Sequence, residues 1–286
     1  VPVHDADTDD RDIFAKLTPL SDSERQEVAA ALPRCRQAVR RMVECGHWSD
    51  RDLPRVLLEE ARHVKAREPD FAMAFREAIA ADDNVRGNVL DVGCGSKFPA
   101  PMWIMPHVAR ELHGVDPSPQ VHSHAGLHKA WEGVFEQAPL PESHFDLAYA
   151  WNVVEHIEQA RPFFTKLERV LRPGGTFWAL TPHARHPFAK ASRAIEVMGL
   201  KQWFAARSEA VNKYPAYYRL NTRTKVIASI AGLRLEPMKF DYFASGGWWS
   251  YFPRVVQPLG RLYHHAIEKP FPRLAVVFMY GLRRTP

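Results

Sequence analysis

Two rhythms of apolar residues divide the chain. As far as about residue 83 they recur every three or four positions, in QEVAAAL through AVRRMVE, then in VLLEEARHVKA, then in FAMAFREAIAA. That spacing places one apolar stripe along a helix, so residues 13–83 are expected to form a helical N-terminal region. SDSE at 21–24 has the form of a capping box, with Ser21 as cap and Glu24 reaching back to it. Pro33 kinks or splits the first helix, because proline lacks the N–H and crowds the preceding turn. The second helix is expected to start near Pro54 and the third after Pro69. The first dozen residues, VPVHDADTDDRD, are polar and acidic and are expected to be disordered.

After residue 87 short apolar runs alternate with helical patterns. NVLDVG, LHGVD, FDLAYAW and TFWALT read as strands, and WIMPHVARE and RPFFTKLERVL read as helices between them. Apolar strands separated by helices point to a parallel sheet covered on both faces, an α/β layer fold. KVIASIAG then reads as a helix, and LRLEPMKFDY and AVVFMYGLRR as two final strands. Two stretches fit neither rhythm, about 183–222 and 243–274, and both are expected to be lid insertions. The division is therefore a helical region over 1–86 and a sheet domain over 87–286.

Charge is unevenly spread. Residues 1–86 hold 14 Lys and Arg against 18 Asp and Glu, residues 87–181 hold 7 against 10, and residues 182–286 hold 17 against 5. The net +5 thus conceals a +12 final third, which implies an anionic partner for one face. Three cysteines with no CxxC spacing speak against a disulfide framework or a zinc site, and the 14 histidines are scattered without a metal signature. No long apolar run or apolar leader is present, so the expected location is cytoplasmic.

The candidate chemistry starts at VLDVGCGSKFP, residues 89–99. Gly93 and Gly95 follow an apolar strand, where glycine permits positive φ and lets a ligand approach the backbone. A plain loop fits the same residues. Asp116 ends the next strand, 21 residues after Gly95. A carboxylate there accepts hydrogen bonds from ribose hydroxyls in nucleotide-binding α/β folds, and a turn aspartate before Pro117 is the alternative.

VLDVGCG, GVDPS, LPESHFDLAYAWNVVEHI and LERVLRPGGTFWALTP, in this order and spacing over about 87–182, resemble the class I S-adenosylmethionine-dependent methyltransferases, in particular their UbiE-like small-molecule branch. The resemblance implies a Rossmann-like parallel sheet with an antiparallel last strand, and S-adenosylmethionine as cofactor. It places Asp91 and the Gly93, Cys94 and Gly95 backbone at the methionine portion of the cofactor, and Asp116 with Pro117 at its ribose. Glu136 and Gln137 would flank the adenine, while Trp151, Asn152 and His156 would line the methionine pocket. Two departures stand out: Val134 where the family often has an acidic residue for the adenine amino group, and Lys97 in place of the turn's third glycine. A nicotinamide cofactor fits less well, since GxGxxG would need glycine at Phe98.

Methyl transfer needs donor and acceptor aligned and dry, and a general base only when the acceptor is a neutral hydroxyl or an acidic carbon. His183 and His186, just after the fifth strand, are the expected bases, with a pair of loop histidines as the alternative. The insertions hold Trp203, Tyr217, Tyr218, Trp248 and Trp249 among cations. Such a mixture suits a large amphipathic acceptor with an anionic group or a peripheral membrane contact, and equally a packed lid core. The leading reading is O-methylation of a small-molecule, glycolipid-like or natural-product acceptor. RNA methylation is the second; the basic final third favours it, and the lack of an RNA-binding module or an NPPY-like motif opposes it. A non-catalytic scaffold is the third, opposed by the intact glycine turn and Asp116. Residues 1–86 could serve as a homodimer interface, a cover for the site or a recruiting surface.

Overall fold

The computed structural model describes residues 12–65, 70–199, 214–246, 248–251 and 254–286. The acidic start over 1–11 and Trp203 lie outside them. The chain forms two compact units, residues 1–86 with 98–110, and residues 87–97 with 111–286.

In the first unit, helix α1 (Asp22–Cys45) begins at the Ser21 capping box and ends at Gly46 in the left-handed conformation. Ser21 N–H donates to Glu24 Oε2 at 2.9 Å. The helix breaks its regular φ/ψ at Cys35, two residues after Pro33. Helices α2 (Leu53–Lys65) and α3 (Asp70–Ala81) pack against α1. Between them lies a buried ion pair, Arg76 with Glu60, and Glu60 Oε2 also accepts the Trp103 indole N–H at 2.8 Å. WIMPHVARE, expected to be a helix, yields only α4 (Met105–Val108), a single turn with proline in its first positions.

The second unit is built on a seven-stranded sheet: β1 (Asn88–Val92), β2 (Glu111–Asp116), β3 (Lys129–Glu132), β4 (Phe145–Trp151), β5 (Leu171–Pro182), β6 (Leu235–Phe243) and β7 (Val277–Arg284). Its order is β3-β2-β1-β4-β5-β7-β6. The pairs β1–β2, β1–β4, β2–β3 and β4–β5 are parallel, and β7 runs antiparallel to both β5 and β6. This is a Rossmann-like sheet with an antiparallel last strand. β1 is buried at every position, the pattern of a central strand covered on both faces. Helices α5 (Ala160–Val170), α6 (Pro187–Val197), α7 (Arg223–Ile230) and α8 (Gln257–Tyr263) belong to this unit. Phe163, Phe164 and Leu167 of α5 join Phe177, Phe278 and Tyr280 in its hydrophobic core.

LRPGG serves structure. Phe145 pairs with Leu171 but Leu147 with Thr176, so the residues between loop out of the β4–β5 ladder around Gly174 at φ 81°. Among the described residues no helix is long and apolar enough to cross a membrane.

Candidate functional site

Strand order reverses at β1, with β2 on one side and β4 on the other, and open α/β sheets bind ligands in the crevice beyond the strand carboxyl ends at such a point. The turn after β1 is tied to the end of β2. Gly93 N–H donates to Val115 O at 2.7 Å, and Gly95 N–H donates to Asp116 Oδ2 at 2.9 Å. Gly93 sits at φ 75°, and a Cβ there would lie 2.3 Å from Val153 Cγ2, so glycine is required on both counts. Gly95 is also left-handed, but a Cβ on it meets nothing within 4 Å.

A cavity of about 690 Å³ opens over these ends. Val92, Gly93, Asp116 and Pro117 form its floor, Gly133 to Gln137 one wall, Trp151 to Val153 and His156 another, and Tyr214, Pro215 and Tyr217 close it. The structure thus brings Gly93, Asp116, Pro117, Glu136, Gln137, Trp151, Asn152 and His156 together. Asp91, Cys94 and Gly95 do not line the cavity. Asp91 stays within the sheet, where its Oδ2 accepts the Tyr149 hydroxyl at 2.8 Å and burial lifts its carboxyl to about 7. The Cys94 side chain packs on Gly114, where any Cβ would come within 2.5 Å of its sulfur, and burial pushes the thiol well above its ordinary range.

The site can be tested for its fit to a nucleoside bearing an amino-acid chain. Asp116 also accepts the Ser118 N–H at 2.8 Å, through Oδ1, so it is the turn aspartate of the alternative reading. Each carboxylate oxygen keeps a further acceptor position, enough for the two hydroxyls of a ribose. Glu136 Oε2 is buried without a hydrogen-bond partner, and burial raises its carboxyl. That orphaned oxygen on the wall next to exposed Val134 matches an amino group such as adenine's. Asn152 holds φ 52° at the end of β4 and is fixed by its N–H to Leu180 O at 2.8 Å. A non-glycine residue in that region stores strain, a feature that gathers at binding sites. The residues fit the cofactor.

His156 is the histidine that reaches the cavity. Its Nδ1 donates to Pro215 O across 2.7 Å, which fixes the tautomer and leaves Nε2 as the basic nitrogen. Glu155 Oε1 lies 4.0 Å from that Nε2. Glu155 is buried, its carboxyl pushed up to about 7 by burial, and Oε2 accepts the Thr181 hydroxyl at 2.9 Å. Asn221 Nδ2 donates in turn to Thr181 Oγ1 at 2.5 Å. The main-chain carbonyl of Glu155 accepts the N–H groups of Tyr217 at 2.7 Å and Tyr218 at 3.0 Å, which anchors the aromatic segment over the site.

His183 and His186, the expected bases, do not line this cavity. His183 N–H pairs with Val276 O at 2.7 Å, continuing the β5–β7 ladder, and its ring donates from Nδ1 to Ala275 O at 3.2 Å. His186 caps α6, its Nδ1 accepting from Phe188 N–H at 3.1 Å, and its ring packs edge-on to Trp248. Burial is the main cause that lowers both rings to about 4.

The lid aromatics split between the two readings. Tyr217 faces the cavity, whereas Tyr218 is buried against Ala189 and Ala216. Trp248 and Trp249 lie on a 3₁₀ turn, Trp248–Tyr251; Trp248 is buried and its Nε1 donates to Glu268 Oε2 at 3.1 Å. Among the described residues one metal-like grouping is visible, Glu111, His113 and His144, with ligand atoms within 4.8 Å of one another. Two of its contacts are made within the protein, His113 Nε2 with Glu111 at 3.1 Å and His144 Nε2 with the Asn88 amide at 3.2 Å. It stands at the opposite ends of the strands from the cavity.

A family model described as "Methyltransferase domain" matches residues 90–179. A protein of Mycolicibacterium smegmatis named "Probable S-adenosylmethionine-dependent methyltransferase" is 31% identical over 100 residues, 34% of this chain and 38% of its own. A sterol 24-C-methyltransferase of Gibberella zeae is 30% identical over 107 residues, 32% of this chain and 28% of its own. The chain therefore spans well under half the length of these curated relatives. Geranyl diphosphate C-methyltransferase from Streptomyces coelicolor superposes with a TM-score of 0.51 at 12% identity, covering 84% of each chain, a likeness of fold.

Proposed function

We propose that the protein, whose residues 90–179 match a methyltransferase domain, is an S-adenosylmethionine-dependent methyltransferase that transfers a methyl group to the oxygen of a small amphipathic acceptor. The observation that carries the reading is Asp116, held at the end of β2 by Gly95 at 2.9 Å and Ser118 at 2.8 Å on the floor of the 690 Å³ cavity. When bound, S-adenosylmethionine supplies a methyl group on a positively charged sulfur, open to in-line displacement. In this reading Asp116 takes the ribose hydroxyls, Glu136 the adenine amino group, and the Gly93 turn the methionine end. Tyr214, Pro215 and Tyr217 line the side of the cavity where an acceptor would sit. His156 Nε2 receives the proton of the acceptor hydroxyl, with Glu155 beside it to balance the charge.

An amphipathic acceptor is supported by the second insertion. Val255, Leu259, Leu262 and Phe271 are exposed there, close in sequence to Arg254, Arg261, Lys269 and Arg273. Exposed apolar side chains interspersed with cations along the chain suit the surface of an anionic bilayer from which such an acceptor is presented. The sterol named in one relative is of similar character. The three cysteines are free, in keeping with a reducing cytoplasm.

The reading is tested by incubating the protein with methyl-labelled S-adenosylmethionine and a panel of amphipathic alcohols and phenols. Label is expected in an organic-extractable ether. Label on carbon or nitrogen instead would reject oxygen as the target, and no transfer to any class, including added RNA, would reject catalysis.

A further inference from the structure

A second cavity of about 510 Å³ lies at the same edge of the sheet, beyond the carboxyl ends of β5 and β6. His183, the first residue after β5, and Tyr242, near the end of β6, both line it. Three arginines converge on it, Arg185, Arg223 and Arg273. Its lining includes one acid, Asp241, whose Oδ2 is engaged by Lys239 Nζ at 2.9 Å. The cavity is therefore strongly cationic, in a segment of the chain that carries a net +12.

Its shape also meets an anion with more than charge. Helix α7 opens into the cavity, with Thr222 as N-cap and Arg223 and Thr224 as its first residues. The Lys225 N–H is capped by the Thr222 hydroxyl at 3.4 Å, and the Arg223 and Thr224 N–H groups, the first two of the helix, are the ones that can meet a ligand at its N-terminus. Arg223 sits 5.3 Å above the Phe240 ring, which fixes the guanidinium at the cavity wall. Forked guanidinium groups, a helix N-terminus and a threonine hydroxyl together match the several oxygens of a phosphoryl group better than a single carboxylate.

The two cavities open at the same edge of one sheet and are linked along the chain, without a lining residue in common. Tyr214, Pro215 and Tyr217 close the first, and the chain runs directly on to Thr222, Arg223 and Thr224 in the second. We propose that the second cavity binds a phosphoryl group and, resting on the methyl-transfer reading, that this group belongs to the acceptor, held there while its hydroxyl reaches His156.

The test is calorimetric titration of the full chain, at constant ionic strength, with inorganic pyrophosphate and, separately, with dihexanoyl phosphatidic acid below its micelle concentration. Single-site binding of at least one is expected, weakened tenfold or more in Arg185→Gln/Arg273→Gln. The charge-matched control Arg51→Gln/Arg55→Gln, on exposed residues of the helical unit, is expected to bind as the parent does. Tighter binding of pyrophosphate supports a water-soluble phosphorylated acceptor, and tighter binding of the phosphatidic acid supports a lipid. Failure of both to bind, or equal weakening in the two double variants, overturns the site. The same samples are titrated with S-adenosylhomocysteine: if that fails while pyrophosphate binds, the methyl-transfer reading falls and the anion site stands without its acceptor role.

Discussion

The Gly95 N–H reaches across to the Asp116 carboxylate at 2.9 Å, so the turn that ends one strand holds the acid that ends the next. Neither residue alone makes a site. Joined, they set a carboxylate with spare acceptor positions beside a backbone bare of side chains, and the cavity follows from that pairing.

The two glycines of the turn are expected to respond differently to alanine. Gly93→Ala meets both the left-handed φ of 75° and a 2.3 Å approach to Val153, which must move into the cavity wall. Gly95→Ala meets only the φ of 59°, a cost of about 1–2 kcal/mol. S-adenosylhomocysteine affinity should fall more than tenfold in the first and by less than that in the second, as measured by calorimetry beside a melting curve.

His156 and His186 separate chemistry from structure. With an acceptor that turns over, His156→Gln is expected to lower kcat at least tenfold and to flatten the acidic limb of the pH profile, with S-adenosylhomocysteine affinity within threefold of the parent. His186→Ala removes a ring that is fully buried beside Trp248 and Tyr263. It should cost about 2–4 kcal/mol of stability, as other large-to-small core changes do, and leave that affinity alone.

These two histidines also show what the sequence could and could not disclose. The glycine turn, Asp116 and the parallel strands are local patterns, each legible within ten or so residues. The fate of His183 depends on which strand lies beside β5, a pairing with Val276 over ninety residues away that no local pattern encodes. Once β7 took that place, the chain after β5 turned into the packed interior, and both rings went with it. His156 was legible as part of WNVVEHI but not as a base, because its tautomer is set by Pro215, a residue in the far insertion. The short α4 is bounded on both sides: Pro106 sits in its first turn, and Ala109 is already extended ahead of β2 at Glu111.

Glu155 gives a pH signature. Burial raises its carboxyl from 4.5 to about 7 in the folded chain, so its contribution is fully present below pH 4.5 and is lost as pH rises toward 7. Glu155→Gln keeps an acceptor for the Thr181 hydroxyl and cannot ionise. The variant should match the parent near pH 4.5 and exceed it at pH 7.5, by an amount on the order of 3 kcal/mol. Denaturant melts at the two pH values check this, and a constant difference between the proteins would contradict it.

In the helical unit, the Arg76–Glu60 pair is buried on both sides, at 1% and 0% side-chain exposure. Arg76→Met leaves the Glu60 charge without its partner. A loss of about 3–5 kcal/mol is expected, read as a lower denaturation midpoint, and the double variant Arg76→Met/Glu60→Gln should recover part of it.

The central claim is that Asp116 holds the donor's ribose, and the most direct measurement is calorimetric titration with S-adenosylmethionine and S-adenosylhomocysteine of the protein and of Asp116→Ala, with NADH as control. Micromolar binding of both ligands, lost in a variant that still melts cooperatively, is the expected result. Binding that survives the substitution, or that is absent in the parent, would contradict it.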